Sequence, residues 1–247
     1  MIKFESKNQY GFDDLVTLVD LLRREDGCAW DRAQTHESIK RNMLEEAYEA
    51  CEAIEQKDTA HLCEELGDVL LQVVFHSQME AEAGSFDINE VSHGVCTKLI
   101  KRHPHLFSEQ GSADDADKAL FNWDEIKRKE RGQTLISQEL EGVSRALPSL
   151  WRADKLLSKA AKAGVKDEVS DSAEAVLRAG SELAKPDNAF DKAGELLFAA
   201  VRYCFAAGVD PEEALSAKSD EFIARFAAAE KNEKLELTKE KISAILG

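Results

Sequence analysis

Apolar residues recur at helical spacing along almost the whole chain. Between Phe12 and Arg24 they fall three or four positions apart, which places them on one face of a helix. The four prolines and thirteen glycines are too few for the many turns of an all-β fold. The same pattern predicts further helices over 37–56, 59–83, 87–102 and 121–131, then over 150–163, 171–184, 188–207, 211–230 and a tail. The chain is therefore predicted to be all-α.

Local signals set the ends of several of these helices. Only Lys57, Asp58 and Thr59 separate the second long helix from the third, so the two should form an antiparallel hairpin with Asp58 or Thr59 as the N-cap. Asp87 and Glu90 have the spacing of a reciprocal capping box. The stretches EDGCAWDRAQ and RGQTLISQELEGVSRALPSL are predicted to be a loop and a connector.

The second half of the sequence resembles the first. GDVLLQVVFHS, beginning at Gly67, aligns with GELLFAAVRYC, beginning at Gly194, and Asp87 then falls on Asp210. We interpret this as two tandem helical-bundle domains, 1–132 and 149–247, with a linker over 133–148. A two-helix hairpin buries little apolar surface alone, so the hairpins are expected to complete four-helix bundles in a homodimer.

The net charge and the apolar pattern of the sequence argue against nucleic-acid and membrane partners. A net charge of −16 argues against nucleic-acid binding, which needs a surplus of Lys and Arg, although Glu-rich helices also serve solubility alone. No signal-peptide pattern and no 18-residue apolar run occurs, so no membrane insertion is expected. Five cysteines without a C-x-x-C pair suit free thiols in a reducing compartment. The predicted location is the cytoplasm.

Two pairs of carboxylates mark the predicted hairpin. Glu46 and Glu49 lie one turn apart on the first helix, and Glu65 and Asp68 have the same spacing on the second. Across an antiparallel hairpin the pairs can converge, and four converging carboxylates repel unless a cation lies among them. All-oxygen ligands favour Mg²⁺, or Mn²⁺ in its place. Gly67 costs the helix stability, which suggests the close approach of a neighbouring helix or ligand.

This interpretation competes with simpler ones. Glu-rich helices are common, and one E-x-x-E pattern alone has little value. A di-iron bundle is disfavoured, because it needs a histidine three positions after a glutamate, where this chain has Glu49 and Asp68. The acids are expected to border an apolar core stripe on the second helix of the hairpin, formed by Leu62, Leu66, Val69, Leu70, Val73 and Val74.

Longer motifs carry a resemblance to a known family. GCAWD, AQTHESI, EEAYE, EELGDVLLQVVFH, KLIKRHPHLF and NWDEIK together resemble the all-α nucleoside triphosphate pyrophosphohydrolases of the MazG type. Ala29 stands where the family usually has proline. The resemblance extends over essentially the whole chain, including the two-domain layout.

The resemblance implies hydrolysis of a nucleoside triphosphate to a monophosphate and pyrophosphate, and it assigns roles to residues. The implied Mg²⁺ ligands are Glu46, Glu49, Glu65 and Asp68. The implied substrate-binding residues are Glu45, Glu64, Lys98, Arg102, Trp123 and Lys127. Without the family match, Lys98 and Arg102 would more often form a solvated helix face, and Trp123 would more often lie in a core or an interface. Trp30 could stack on a base or plug the bundle, and the general base is left open.

The repeat predicts that one half has lost its site. At the repeat offset the four acids fall on Ala173, Val176, Lys192 and Glu195. The first domain is therefore predicted to be catalytic and the second to serve packing, dimerisation or regulation, although the resemblance implies main hydrolysis in the second domain. The alternative function is a nucleotide-binding or regulatory protein that has lost turnover in both halves.

Overall fold

A computed structural model of the protein describes residues 3–107, 134–185 and 187–232, with four isolated residues between the first two ranges. The described residues form helices and turns without any strand, which confirms the all-α prediction. The chain separates into two compact units, Met1–Trp123 and Asp124–Gly247. The finer domain limits, and the tandem helical bundles they delimit, stay predictions.

The first unit contains six helices among its described residues. They are α1 (Phe12–Arg23), α2 (Ala29–Ala33), α3 (His36–Gln56), α4 (Thr59–Glu82), α5 (Ile88–Arg102) and α6 (Pro104–Phe107). In the second unit the described elements are α7 (Ile136–Glu141), α8 (Ser149–Lys162), α9 (Val169–Glu182), α10 (Ala189–Ala207) and α11 (Pro211–Asn232). Most of the predicted helix over 121–131 and the predicted tail helix lie outside the described residues.

The α3/α4 hairpin forms as predicted. Lys57 ends α3 with a left-handed backbone (φ 56°, ψ 30°), which turns the chain within one residue. Asp58 then caps α4, because its Oδ1 accepts hydrogen bonds from the backbone N–H groups of Ala60 and His61, both at 3.1 Å. The capping box of Asp87 and Glu90 is also confirmed.

The core of the first unit lies where α1, α3, α4 and α5 meet. Its fully buried members are Val19, Ile39, Val74, Phe75 and Met79. Leu15, Val16, Leu71 and Ile88 pack around them. This core occupies the half of the hairpin away from the turn, so the half near the turn is free to carry polar side chains.

The orientation of α4 corrects the predicted apolar stripe. Leu66 and Leu70 are 54% and 38% exposed, whereas Glu65, directly before Leu66, is only 6% exposed. Val74 is buried as expected. Facing side chains on α3 decide which side of α4 is enclosed, and the periodicity of one helix does not contain that information. The inner face of α4 near the turn is therefore polar, and its outer face is apolar.

The second unit is built around a hairpin of α9 and α10. Its core consists of the small residues Ala175, Ala179 and Ala199, with Val176 and Leu196 beside them. Asp210 caps α11, accepting from the backbone N–H groups of Glu212 at 2.8 Å and Glu213 at 3.0 Å. Alanines allow the two helices to lie close together.

Two short helices fall where a loop and a connector were predicted. These helices, α2 and α7, have five and six residues, about one turn and a half each. That length is too short to show an apolar period, so the sequence pattern misses them. In the part of the chain that the structure describes, no helix has the length and apolar character that crossing a bilayer requires.

Candidate active site

The α3/α4 hairpin brings the predicted carboxylates together. One carboxylate oxygen from each of Glu46, Glu49 and Glu65 lies within 4.8 Å of the other two. Asp68 is half-buried on the same face of α4 and acts electrostatically on Glu46. The antiparallel register therefore converts two sequence pairs into one acidic cluster between the helices.

The electrostatics of the cluster follow from this crowding. Burial raises the pKa of Glu46 above its ordinary value, and the charges of Asp68, Glu49 and Glu65 raise it further. Like charges in a partly enclosed space disfavour ionisation of each other. A cation among them would reverse this effect.

Glu65 provides the sharpest test of whether a cation fits. Its Oε1 lies 2.9 Å from Nε2 of His61, one turn earlier on α4. Its Oε2 is enclosed and has no hydrogen-bond partner. A buried carboxylate oxygen without a donor is costly, and a hard divalent cation is the ligand that oxygen-only clusters of this kind accept. The residues therefore fit a divalent metal ion.

The other predicted site residues are not members of this group of three acids, or they lie beyond the described residues. Glu45 and Glu64 are exposed and do not contribute to it. Lys98 and Arg102 lie one turn apart on α5, which packs against α4; Lys98 is exposed and Arg102 half-buried. Trp123 and Lys127 are outside the described residues. The roles of all six stay predictions.

The matched positions in the second unit carry a different set of side chains. Lys192, at the position of Glu65, lies 2.5 Å from Oδ1 of Asp187 and donates to the carbonyl of Lys185 at 2.8 Å. Glu195, at the position of Asp68, is exposed. Within the described part of this unit no group of three potential ligands converges as the acids of the first unit do.

A buried arginine fixes the segment before α3. Arg23 donates to both carboxylate oxygens of Glu82 at 2.8 Å, and to the backbone carbonyls of Asp31 at 2.6 Å and Gln34 at 3.3 Å. It thereby joins α1, α4 and the region of α2, where Trp30 is 63% exposed. An arginine in an amphipathic stretch usually faces solvent, so this contact could not be predicted from the sequence pattern.

The structure also brings together two histidines that are distant from each other in the sequence. His36 and His76 stack with their ring centroids 5.0 Å apart and their Nδ1 atoms at 2.7 Å. His36 Nε2 lies 2.8 Å from Glu80 Oε1, while Nε2 of His76 is enclosed without a partner. Burial lowers the pKa of His76, and His36 lowers it further. These histidines lie 40 residues apart in the chain, so spacing alone could not pair them.

Comparison with known proteins finds a family match over the residues that carry the acidic cluster. Residues 34–107, which contain all four acids predicted as ligands and the basic pair of α5, match the MazG nucleotide pyrophosphohydrolase domain. The nucleoside triphosphate pyrophosphohydrolase/pyrophosphatase MazG of Thermotoga maritima is 39% identical over 219 residues, covering 87% of this chain and 84% of its own. The nucleoside triphosphate pyrophosphohydrolase of Escherichia coli K12 is 36% identical over 229 residues, covering 89% and 87%.

The fold and the cluster thus define a helical hydrolase of acid anhydrides. The chain belongs to the MazG nucleotide pyrophosphohydrolase family. An uncharacterised protein of Bacillus subtilis is also 39% identical, over 95% of this chain but only 49% of its own length. The family resemblance inferred from the motifs is confirmed.

Proposed function

We propose that this protein hydrolyses nucleoside triphosphates to monophosphates and pyrophosphate, with Mg²⁺, at the acidic cluster of the first unit. The observation that carries the proposal is the convergence of Glu46, Glu49 and Glu65, together with a buried oxygen of Glu65 that has no partner. The relatives in Thermotoga maritima and Escherichia coli, both named for this activity, support it.

The four acids would hold the metal ion. Glu46 and Glu49 approach from α3, and Glu65 and Asp68 approach from α4, so the ion would have oxygen ligands from both helices. Mg²⁺, or Mn²⁺ in its place, supplies positive charge against the carboxylates and the phosphates when it is bound.

The chain's own groups would do the rest of the chemistry. One of the four carboxylates orients a water molecule and accepts its proton as the water oxygen attacks the α-phosphorus. The bond between the α-phosphorus and its bridging oxygen breaks, and pyrophosphate leaves. Lys98 and Arg102, one turn apart on α5, balance the remaining phosphate charge.

We place the activity in the first unit alone. In the second unit a cation, Lys192, occupies the position of Glu65 and already has a carboxylate partner in Asp187. Ala173 and Val176 have no ligand atoms at the positions of Glu46 and Glu49. A hairpin with this composition offers one acid, Glu195, where the first offers four.

We further propose that the protein works as a homodimer, which covers the outer face of the hairpin. Leu44 and Tyr48 on α3, and Leu66 and Leu70 on α4, are exposed large apolar residues. A side chain added at Gly67 would meet no other atom within 4 Å, so the close approach expected there does not come from the described residues of the same chain. In the proposed dimer, a second copy of the chain covers this apolar face.

The deciding experiment separates the reaction products. The protein is incubated with each ribonucleoside and deoxyribonucleoside triphosphate and Mg²⁺, and the products are resolved by ion-exchange chromatography. Monophosphate and pyrophosphate in equal amounts are expected, with no reaction in the presence of a chelator. Diphosphate and phosphate would contradict the proposal, and tight nucleotide binding without turnover would favour the non-catalytic alternative. Sedimentation at micromolar concentration tests the dimer.

A further inference from the structure

Gln72 is a buried amide that the proposed chemistry does not use. It lies on α4, four residues after Asp68 and seven after Glu65, so all three side chains project from the same face of the helix. The residue is only 9% exposed, and its Oε1 is enclosed without a hydrogen-bond partner. A buried amide oxygen without a donor destabilises the folded protein.

Asn42 extends this polar lining on the facing helix. It precedes Glu46 by four residues and therefore lies on the same face of α3, half-buried. The antiparallel register that brings Glu46 near Asp68 places Asn42 level with Gln72. Among the described residues, the Asn42 side chain has no hydrogen-bond partner either. Two carboxamides thus lie one turn beyond the acidic cluster, on its side away from the hairpin turn.

The second unit shows that packing does not require this glutamine. At the repeat offset Gln72 falls on Ala199, which is buried in the alanine core between α9 and α10. A hairpin of the same design therefore closes with a small apolar residue at this position. The second unit has lost its acids and this amide together, which suggests that they serve one ligand.

We propose that Gln72, assisted by Asn42, binds the nucleoside part of the substrate and sets its specificity. The inference rests on the proposed function, which places the phosphates at the acidic cluster. One helical turn of four residues separates Gln72 from Asp68 by about 6 Å along the axis. That offset suits a nucleoside attached to an α-phosphate at Asp68, with the pyrophosphate part directed toward Glu49, Glu65 and the hairpin turn.

The chemistry that Gln72 recognises is a hydrogen-bond donor. Its free Oε1 accepts, so the matching ligand group is an N–H of the base or an O–H of the sugar. A site with an unpaired buried acceptor favours ligands that supply the donor and rejects those that lack it. The two sources of the donor can be separated by comparing substrates.

The test uses Gln72→Met, which keeps the length of the side chain and removes its polar atoms. The Michaelis constants of the preferred triphosphates are expected to rise about tenfold, in line with the loss of one good hydrogen bond. Inhibition by inorganic tripolyphosphate, which has the phosphates without a nucleoside, should stay unchanged. A loss confined to ribonucleotides identifies a sugar hydroxyl, and a loss that follows the base identifies a base N–H.

Two further variants keep the result interpretable. Gln72→Ala introduces the residue of the matched position and should reproduce the methionine result. Gln78→Met is the control, because Gln78 is on the same helix but faces α1, where it donates to Asp20 at 3.2 Å. The kinetics of this variant should match those of the wild type. Neither Gln72 variant should lower the melting temperature.

The inference is overturned if the Michaelis constants stay unchanged, or if the tripolyphosphate inhibition constant shifts by the same factor. Calorimetric titration of the same nucleotides in Mg²⁺ gives the comparison without turnover. If the wild-type protein hydrolyses nothing, the proposed function fails, while the binding difference between wild type and Gln72→Met still decides the role of Gln72.

Discussion

At the scale of single residues, burial of the Glu65 carboxylate lowers the stability of the folded protein, and the neighbouring residues do not compensate for it. His61 contacts one carboxylate oxygen, and the other is enclosed with no partner. Natural proteins keep such groups where they bind or react, because a smaller apolar residue would stabilise the fold better. Lys192 at the matched position has two contacts instead, so this position of the second unit needs no bound cation.

Replacing Glu65 by Gln should separate metal binding from folding. The variant keeps its shape but removes one negative charge, so without metal its melting temperature should equal or exceed that of the wild type. Saturating Mg²⁺ should raise the wild-type melting temperature by several degrees, since a ligand at 100 times its Kd stabilises by about 2.7 kcal/mol, and should leave the variant unchanged. Thermal unfolding with and without Mg²⁺ measures both effects. Glu55→Gln, an exposed change on α3, is the matched control and should respond as the wild type does.

The contact between Arg23 and Glu82 predicts a specific dependence of stability on pH. The hydrogen bonds from Arg23 lower the pKa of Glu82 below its ordinary value of 4.5. A lowered pKa in the folded state contributes stability that is present above pH 4.5 and is lost as the pH falls through the folded-state value. Glu82→Gln should therefore be less stable than the wild type at pH 7, by about 1–2 kcal/mol because Glu82 is partly exposed. The difference should shrink below pH 4.5.

Urea unfolding at pH 7, 5, 4 and 3 measures that difference. A constant gap between the two proteins across this range would mean that Glu82 acts through packing and not through its charge. Gln78→Met, which removes only the weaker hydrogen bond from Gln78 to Glu82 at 3.4 Å and keeps both the charge and Arg23, should retain most of the pH dependence.

At the scale of helices, the turn between α3 and α4 determines whether the two acid pairs meet. Lys57 holds a left-handed backbone that favours glycine, and Asp58 satisfies two N–H groups at the start of α4. The turn thus places Lys57, whose side chain disfavours the positive φ, directly before Asp58, which stabilises the start of α4.

Substitutions in this turn should have opposite effects on stability. Lys57→Gly should stabilise the protein by about 0.5–1 kcal/mol, because glycine adopts the positive φ without a steric cost. Asp58→Ala should destabilise it by about 1 kcal/mol through loss of the cap. Chemical denaturation gives both values. Destabilisation by Lys57→Gly would show that the lysine side chain makes a contribution beyond its backbone conformation.

The helices also show which features of the fold could be predicted from the sequence and which could not. The junction between α3 and α4 and the start of α5 were predicted because the capping residues Asp58 and Asp87 act within a few residues of themselves. The convergence of the acids followed from helical spacing and a short turn. The exposure of Leu66, the enclosure of Gln72 and the pairing of His36 with His76 depend on the facing helix, and one helix's periodicity does not determine them.

At the scale of the whole molecule, the chain carries one hairpin design twice with different contents. The first hairpin has acids and amides between its helices, and the second has alanines at its centre. Polar side chains that lack partners lower the stability of the first hairpin, and close packing of small residues supports the second.

A matched pair of substitutions tests whether the first unit alone is catalytic. Asp68→Asn should reduce kcat for nucleoside triphosphates by at least about a hundredfold, because a charged ligand is lost. Glu195→Gln, at the matched position in the second unit, should leave kcat within about twofold. Steady-state kinetics with Mg²⁺ on both proteins provides the comparison. Equal losses in the two variants would move the active site, or part of it, to the second unit.

The contact of Arg23 with Glu82 also bears on how the chain assembles during synthesis. The two residues are 59 positions apart, and a ribosome adds that length in about 3 to 12 s. During that interval the carboxylate of Glu82 is not yet available to Arg23. The contact that joins α1, α4 and the region of α2 can therefore form only after the last turn of α4 has been synthesised.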